Sequence, residues 1–156
     1  MNKRKTVENF IKENIDSAYS FAFTYMKNKY DAEDVVQESI EKALKSCVNL
    51  KNTDMVKSWF FKIISNTAVS FLRKQNKIIP FDNPEDDEGY IDIYNISGLD
   101  EMIQKLPQKY IEVITLRYFE DMKIKDIAEI LDLNENTVKT RLYKAIGLLK
   151  GDMADG

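Results

Sequence analysis

The chain has 156 residues, of which 44% are hydrophobic and 31% charged, and its formal net charge at pH 7 is −3. These values are typical of a folded protein with one domain or two small ones. The absence of histidine removes the commonest general base and metal ligand, and the five unclustered glycines exclude a glycine-rich phosphate loop, so we expect no catalytic residue, no cofactor and no metal, and hence no enzyme.

Neither a membrane span nor a signal peptide is predicted. No run of 18 apolar residues occurs, and no continuous apolar stretch follows the basic residues Lys3, Arg4 and Lys5. The single cysteine, Cys47, excludes an internal disulfide, is typical of a reducing compartment and is expected to pack in the core. We expect a cytoplasmic protein without membrane insertion.

The charge is divided unevenly along the chain. Residues 1–79 contain 14 lysines and arginines against 9 acidic residues, residues 80–98 contain none against 6, and residues 99–156 contain 9 against 11, which gives +5, −6 and −2. Two prolines and two glycines interrupt the helical periodicity in the middle segment. We therefore predict an all-α fold with two small helical domains, 1–79 and 99–156, joined by a flexible acidic linker, 80–98.

Apolar residues at helical spacing predict one helix between Val7 and Met26 and a second helix for which Asp31 is the N-cap. The second helix turns a stripe inward that includes Val36, Ala43 and Cys47. Four polar or acidic side chains share its outer face: Asp34, Gln37, Glu38 and Glu41. By itself this face favours solvation over docking to a basic partner helix.

A polar loop follows, with Asn49, Lys51, Asn52 and Thr53, and leads into a helix predicted over Ser58–Lys77. One face of this helix is apolar and is expected in the core: Phe60, Ile63, Ile64, Thr67, Ala68, Phe71 and Leu72. Another face combines an aromatic side chain with polar and basic groups: Trp59, Lys62, Asn66, Ser70, Arg73 and Lys77. A solvated basic face and a nucleic-acid surface both fit this pattern.

Helical periodicity returns at Leu99, and Pro107 opens a further helix. A short helix over Ile124–Leu131, a tight turn at Asp132 and a longer helix capped by Asn134 form the pattern of a helix-turn-helix. The second helix of this motif carries short polar and basic side chains near its start, where such helices enter a major groove: Asn136, Thr137, Lys139, Thr140, Arg141 and Lys144.

Three stretches in this order resemble the sigma-70 family of RNA polymerase sigma factors, in its compact two-domain, extracytoplasmic-function form. DAEDVVQESIEKAL (Asp31–Leu44) is similar to the region 2 segment that docks on the clamp helices of core RNA polymerase. SWFFKIISNTAVSFLRK (Ser58–Lys74) resembles the helix that meets the promoter −10 element. Residues Leu106–Lys150 resemble region 4, which reads the −35 element.

The resemblance implies an initiation factor that binds core polymerase, through its clamp helices and flap, and promoter DNA, as duplex and as melted non-template strand. It implies that the acidic face of the second helix docks on core polymerase and that the loop captures a flipped base. Trp59 and its polar neighbours would hold the melted strand, and the six residues from Asn136 to Lys144 would read the −35 element. An anti-sigma factor is a further expected partner.

Several residues depart from the family pattern. Ser65 stands where many relatives carry arginine, Asp132 and Asn136 replace glycines, and the segment after Tyr143 is less basic than is common, which predicts modest −35 affinity. Two alternatives remain open. A free-standing helix-turn-helix regulator would leave the acidic face of the second helix unexplained, and an adaptor that binds only protein would leave both basic faces unexplained.

Overall fold

Every regular element is helical in the computed structural model, which describes residues 2–75 and 98–155. Within these ranges the helices are α1 (Lys3–Glu13), α2 (Ile15–Met26), α3 (Lys29–Lys45), α4 (Val56–Lys74), α5 (Gly98–Gln104), α6 (Gln108–Ile114), α7 (Ile124–Leu131) and α8 (Glu135–Asp155). They form two compact units, one mainly from residues 2–75 and the other mainly from 98–155. The predicted all-α fold class is confirmed.

The predicted acidic linker, 80–98, lies outside the described residues except for Gly98, and the proposed boundaries at 79 and 99 stay predictions. No helix of the described chain is long and apolar enough to cross a membrane.

Residues 3–26 form two helices, and the prediction of one continuous helix was wrong. The break lies at Asn14, where the backbone has φ −124° and ψ 23°. The Asn14 side-chain amide donates a hydrogen bond of 2.9 Å to the Phe10 carbonyl. Asparagine side chains compete with helical backbone bonds in this way, so a polar residue inside an apolar repeat ended the helix.

Helix α3 begins at Lys29, two residues before the predicted N-cap. The cap is Asn28, whose Oδ1 accepts from the Asp31 backbone N–H at 2.8 Å and whose Nδ2 donates to the Asp31 carboxylate at 2.9 Å. Asp31 therefore lies inside the first turn, where its negative charge suits the helix dipole. Asn28 is itself a strong N-cap residue, and the chain reaches it through Lys27 in the left-handed conformation (φ 65°).

Helix α4 packs against α1, α2 and α3 and supplies much of the core of the first unit. Phe60, Ile64, Thr67, Ala68 and Leu72 are buried as predicted. Ile63 and Phe71 are only half-buried. The buried stripe is rotated towards Phe61, which the prediction omitted: this ring is fully buried and its centroid lies 5.2 Å from that of Phe21 on α2. Because helices pack on both sides of α4, its buried arc is wider than one stripe.

In the second unit, α6 packs against α8, and α7 joins α8 through the predicted turn. Asp132 adopts the left-handed conformation (φ 57°), and the Leu133 N–H donates to the Ala128 carbonyl at 2.9 Å. The Asn134 side chain accepts from the Thr137 N–H at 2.8 Å, which fixes the start of α8. Val138, Leu142, Ala145 and Leu149 are buried, so the polar side of α8 faces outward.

Candidate polymerase and nucleic-acid interfaces

The four side chains predicted to dock on a protein partner lie on the outer side of α3, and we call them the docking face: Asp34, Gln37, Glu38 and Glu41. Asp34, Gln37 and Glu41 are exposed and Glu38 is half-buried. Residues 34, 37, 38 and 41 share one side of a helix because each lies three or four positions from another. A surface of this kind presents carboxylates and one amide to a partner that carries positive charge.

Glu38 is held in place by a neighbouring cation. Its carboxylate lies 3.1 Å from the Lys42 ammonium, which also donates to the Thr67 hydroxyl on α4 at 3.1 Å. Both charged side chains are nearly half exposed, at 44% for Glu38 and 47% for Lys42. An ion pair this open adds little to stability, but it links the docking face of α3 to α4.

Tyr30 extends the docking face by one turn, and the prediction missed it. Its side chain is 78% exposed in the first turn of α3, four residues before Asp34 and seven before Gln37. Tyrosine is enriched at protein interfaces, so an exposed tyrosine at this point fits a docking role. Its place on the helical repeat with Asp34 and Gln37 was the available sequence signal.

The loop between α3 and α4 is an ordered pair of 3₁₀ turns, Cys47–Asn49 and Thr53–Met55. The predicted base-reading residues Asn49, Lys51, Asn52 and Thr53 are all exposed. Leu50 anchors the loop, since it is almost fully buried. The Asn52 side-chain oxygen accepts from the Asp54 N–H at 3.0 Å, and the amide nitrogen of the same side chain is a donor.

Two apolar side chains accompany these polar groups, and sequence reasoning missed both. Val48 is 74% exposed and Met55 40% exposed, one in each 3₁₀ turn. The Lys3 ammonium on α1 donates to the Val48 carbonyl at 3.3 Å, so a surface hydrogen bond holds the loop in addition to the buried Leu50. Apolar surface beside amide and hydroxyl groups suits an unstacked base, which has an apolar face and a polar edge.

The side chains predicted for the polar face of α4 are exposed or half-buried wherever the structure describes them. Asn66 and Arg73 are exposed, and Trp59, Lys62 and Ser70 are half-buried along the same side. Lys77, also predicted for this face, lies outside the described residues. Ser65 does not belong to the face: it is buried and its hydroxyl lies 2.9 Å from that of Tyr25.

A groove of about 340 Å³ opens beside the start of α8, and we call it the recognition groove. Eight residues line it: Lys109, Tyr110, Asn134, Asn136, Thr137, Thr140, Arg141 and Lys144. Five of the six residues predicted for −35 recognition are among them. Lys139, the sixth, is exposed but does not line the groove.

Lys109 and Tyr110 come from α6 and were missed, because about 30 residues separate them from α8 in the chain. The Lys109 ammonium lies 5.3 Å from the centroid of the Tyr110 ring, within the range of a cation–π contact. The packing of α6 against α8 brings this pair to the groove. A lysine and a tyrosine hydroxyl are common donors to phosphate oxygens.

Arg141 is less free than its sequence position suggested. Its guanidinium Nη1 lies 3.9 Å from the Glu112 carboxylate on α6, and the two side chains are 23% and 14% exposed. A largely buried acid thus lies beside one of the cations that line the groove. No periodicity within α6 or α8 predicts such a pair.

Family models match both parts of the chain. The model described as sigma-70 region 2 matches residues 10–78, which contain α2, α3, the loop and α4. The model described as sigma-70, region 4 matches residues 97–149, which contain α5 to α7 and most of α8. The docking face and the polar face of α4 lie within the first match, and the recognition groove lies within the second.

Bacterial sigma factors are among the relatives. The chain is 48% identical to the RNA polymerase sigma factor SigV of Bacillus subtilis over 135 residues, which cover 85% of this chain and 81% of that protein. It is 30% identical to the ECF RNA polymerase sigma-E factor of Haemophilus influenzae over 136 residues, 76% of this chain and 72% of that one.

A solved structure shares the fold. The sigma factor RpoE of Bartonella quintana, crystallised in complex with the anti-sigma factor NepR, superposes with a TM-score of 0.70 at 22% identity, over 92% of this chain and 96% of that one. The two family models and the relatives at 48% and 30% identity establish the family. This chain belongs to the sigma-70 family of RNA polymerase sigma factors, in its extracytoplasmic-function (ECF) group.

Proposed function

We propose that this protein is an alternative sigma factor that binds core RNA polymerase and directs initiation at promoters with −10 and −35 elements. The observation that carries the proposal is that the region 2 match holds the acidic docking face and the polar face of α4, while the region 4 match holds the recognition groove. The polymerase would perform the RNA synthesis, and this protein would supply recognition in the cytoplasm.

The docking face would bind the clamp helices of core polymerase. Its carboxylates on α3 are exposed, apart from the half-buried Glu38, and lie in a row along one side of the helix. A basic partner helix would meet complementary charge there, which steers association and fixes register. We assign a second contact, with the polymerase flap, to the region 4 unit on the strength of the family resemblance.

The loop and the polar face of α4 would bind the −10 element and its melted non-template strand. The loop exposes amide and hydroxyl groups and Lys51, and Val48 and Met55 add apolar surface for an unstacked base. Trp59, at the start of α4, offers a ring on which a base can stack, and Lys62 and Arg73 can contact the backbone.

The recognition groove and the start of α8 would bind the −35 duplex. Asn136, Thr137 and Thr140 are short polar groups at the N-terminal end of a helix, the part that reaches base edges in a major groove. Lys109 and Lys144 would contact phosphates on either side of them. With few cations in the groove, we expect modest affinity for duplex DNA without polymerase.

An anti-sigma factor is proposed as a regulatory partner. The RpoE protein that shares this fold was crystallised in complex with such a factor, NepR. The free-standing regulator considered as an alternative is not favoured, because the chain belongs to a family of RNA polymerase sigma factors and matches both of its regions.

Run-off transcription tests the proposal. Purified core polymerase and genomic promoter fragments from the source organism would be incubated with and without the full chain. We expect promoter-dependent transcripts only when the protein is present, and a stable complex with core polymerase in gel filtration. Binding to promoter DNA without any binding to core would support the free-standing regulator instead. Failure of both bindings would refute the sigma assignment.

A further inference from the structure

A carboxylate lies beside one of the cations of the recognition groove, where DNA binding alone would favour none. Glu112 on α6 is 14% exposed, and its Oε2 lies 3.9 Å from the Nη1 atom of Arg141, which lines the groove. DNA carries one negative charge for about every 1.7 Å of duplex axis, so a buried acid beside the groove opposes binding. A cost of this kind calls for a role beyond phosphate affinity.

We propose that Glu112 is a positioning residue that sets the discrimination of the −35 element by restraining Arg141. This inference rests on the proposed role of the recognition groove. Arginine has five N–H donors in a rigid planar fork. The Glu112 carboxylate lies 3.9 Å from one nitrogen of this fork, close enough for charge attraction to hold the guanidinium near α6 while Arg141 still lines the groove.

The pairing also changes what Arg141 contributes. An unpaired arginine beside DNA seeks phosphates, which carry no sequence information. A paired arginine in a fixed orientation adds little net positive charge, but it can donate to base edges in one geometry, and such contacts distinguish bases. Glu112 therefore lowers affinity for any DNA while raising the selectivity for the correct one.

The burial of the pair supports this division of roles. Arg141 is 23% exposed, whereas its groove neighbours Asn136, Thr140 and Lys144 are all exposed. A charge this far from solvent needs a partner, because its desolvation is otherwise costly. The exposed Lys144 has the freedom to follow phosphates, and Arg141 does not.

The test uses holoenzyme assembled from core polymerase and the full chain. Two duplexes would be compared: a promoter fragment that supports run-off transcription, and the same fragment with its −35 element scrambled. For Glu112→Gln we expect binding to the scrambled duplex to tighten by about two- to ten-fold, with a salt dependence steeper by about one counterion. Binding to the intact promoter should change less, so the ratio of the two affinities falls.

Three controls separate positioning from simple electrostatics and from folding. Glu101→Gln removes an exposed acid of α5 that does not line the groove, and it should leave the ratio unchanged. Glu112→Asp keeps the charge and should retain most of the discrimination. In an Arg141→Gln background, Glu112→Gln should have no further effect on the ratio, because the two residues act through one contact.

An unchanged ratio and salt dependence in a folded Glu112→Gln protein would overturn the proposal, as would equal weakening on both duplexes. Failure of the proposed function gives a different result. In that case no promoter fragment would support transcription even with the native chain, whereas intact −35 discrimination in Arg141→Gln would overturn only the role proposed here for the Glu112–Arg141 pair.

Discussion

The hydroxyl groups of Tyr25 on α2 and Ser65 on α4 lie 2.9 Å apart inside the first unit, with both side chains almost completely buried. Ser65, which the resemblance marked as a departure from arginine, is buried, so this position adds no cation to the polar face of α4. The contact joins α4, which carries the polar face, to α2.

Loss of this contact should lower the free energy of unfolding. We expect Ser65→Ala and Tyr25→Phe each to cost about 1 kcal/mol, because a buried hydrogen bond makes a net contribution of that size. The double variant should cost less than the sum of the two. Chemical denaturation of the three proteins measures this coupling, and strictly additive losses would show that the hydroxyls do not act as a pair.

Charge reversal on the docking face should weaken core binding. The Glu38 carboxylate lies 3.1 Å from the Lys42 ammonium, so Glu38→Lys places a second cation next to Lys42. The new positive charge would repel a basic partner helix. We expect the dissociation constant for core polymerase to rise at least about ten-fold. The matched control is Glu13→Lys, at an exposed acid near the end of α1, which should bind core normally. Equal affinities of the two variants would exclude α3 as the docking element.

The polar face of α4 should matter more for melted than for duplex DNA. Base stacking on an aromatic side chain contributes about 1–3 kcal/mol per base. We therefore expect Trp59→Ala holoenzyme to lose about ten-fold in affinity for a promoter with a pre-melted −10 region, and Trp59→Phe to lose less. Thermal unfolding of each variant shows whether the half-buried ring also stabilises the fold. A loss confined to fully paired promoter would contradict the assignment.

Lys109 should contribute a phosphate contact from outside the helix-turn-helix. We expect Lys109→Ala to weaken binding to intact and scrambled −35 duplexes alike and to reduce the salt slope by about one counterion. Lys105→Ala is the matched control, since Lys105 is an exposed lysine next to α5 that does not line the groove. If both variants lowered the slope equally, general charge would account for the effect and Lys109 would have no special contact.

The protein should be more stable with glycine at position 132, in the turn of the helix-turn-helix, than with Asp132. Asp132 has φ 57°, where a Cβ atom is strained. We expect Asp132→Gly to raise the free energy of unfolding by about 0.5–1 kcal/mol, despite the greater freedom of glycine in the unfolded chain. Asp126→Gly, inside α7, should instead lower it by a similar amount. Circular dichroism melts of both proteins would show shifts in opposite directions.

Local patterns predicted the helices well and their ends less well. The predicted α7, the turn at Asp132 and the cap at Asn134 are confirmed, because periodicity and capping depend on residues within a few positions of one another. The continuous first helix and the cap at Asp31 were wrong for a related reason. The side chains of Asn14 and Asn28 form hydrogen bonds with backbone groups and so decide where a helix ends or begins. The spacing of apolar residues contains no information about these bonds.

By itself the sequence determined the all-helical fold, the helix-turn-helix and the family, since each rests on order and spacing along the chain. The faces of α3 and α8 could also be proposed from it, because residues three or four apart share a helix face. Only the tertiary structure placed Lys109 and Tyr110 beside α8 and set Glu112 against Arg141. These contacts join α6 to α8 across about 30 residues, and the packing of two helices, which no local repeat encodes, decides which of their side chains meet.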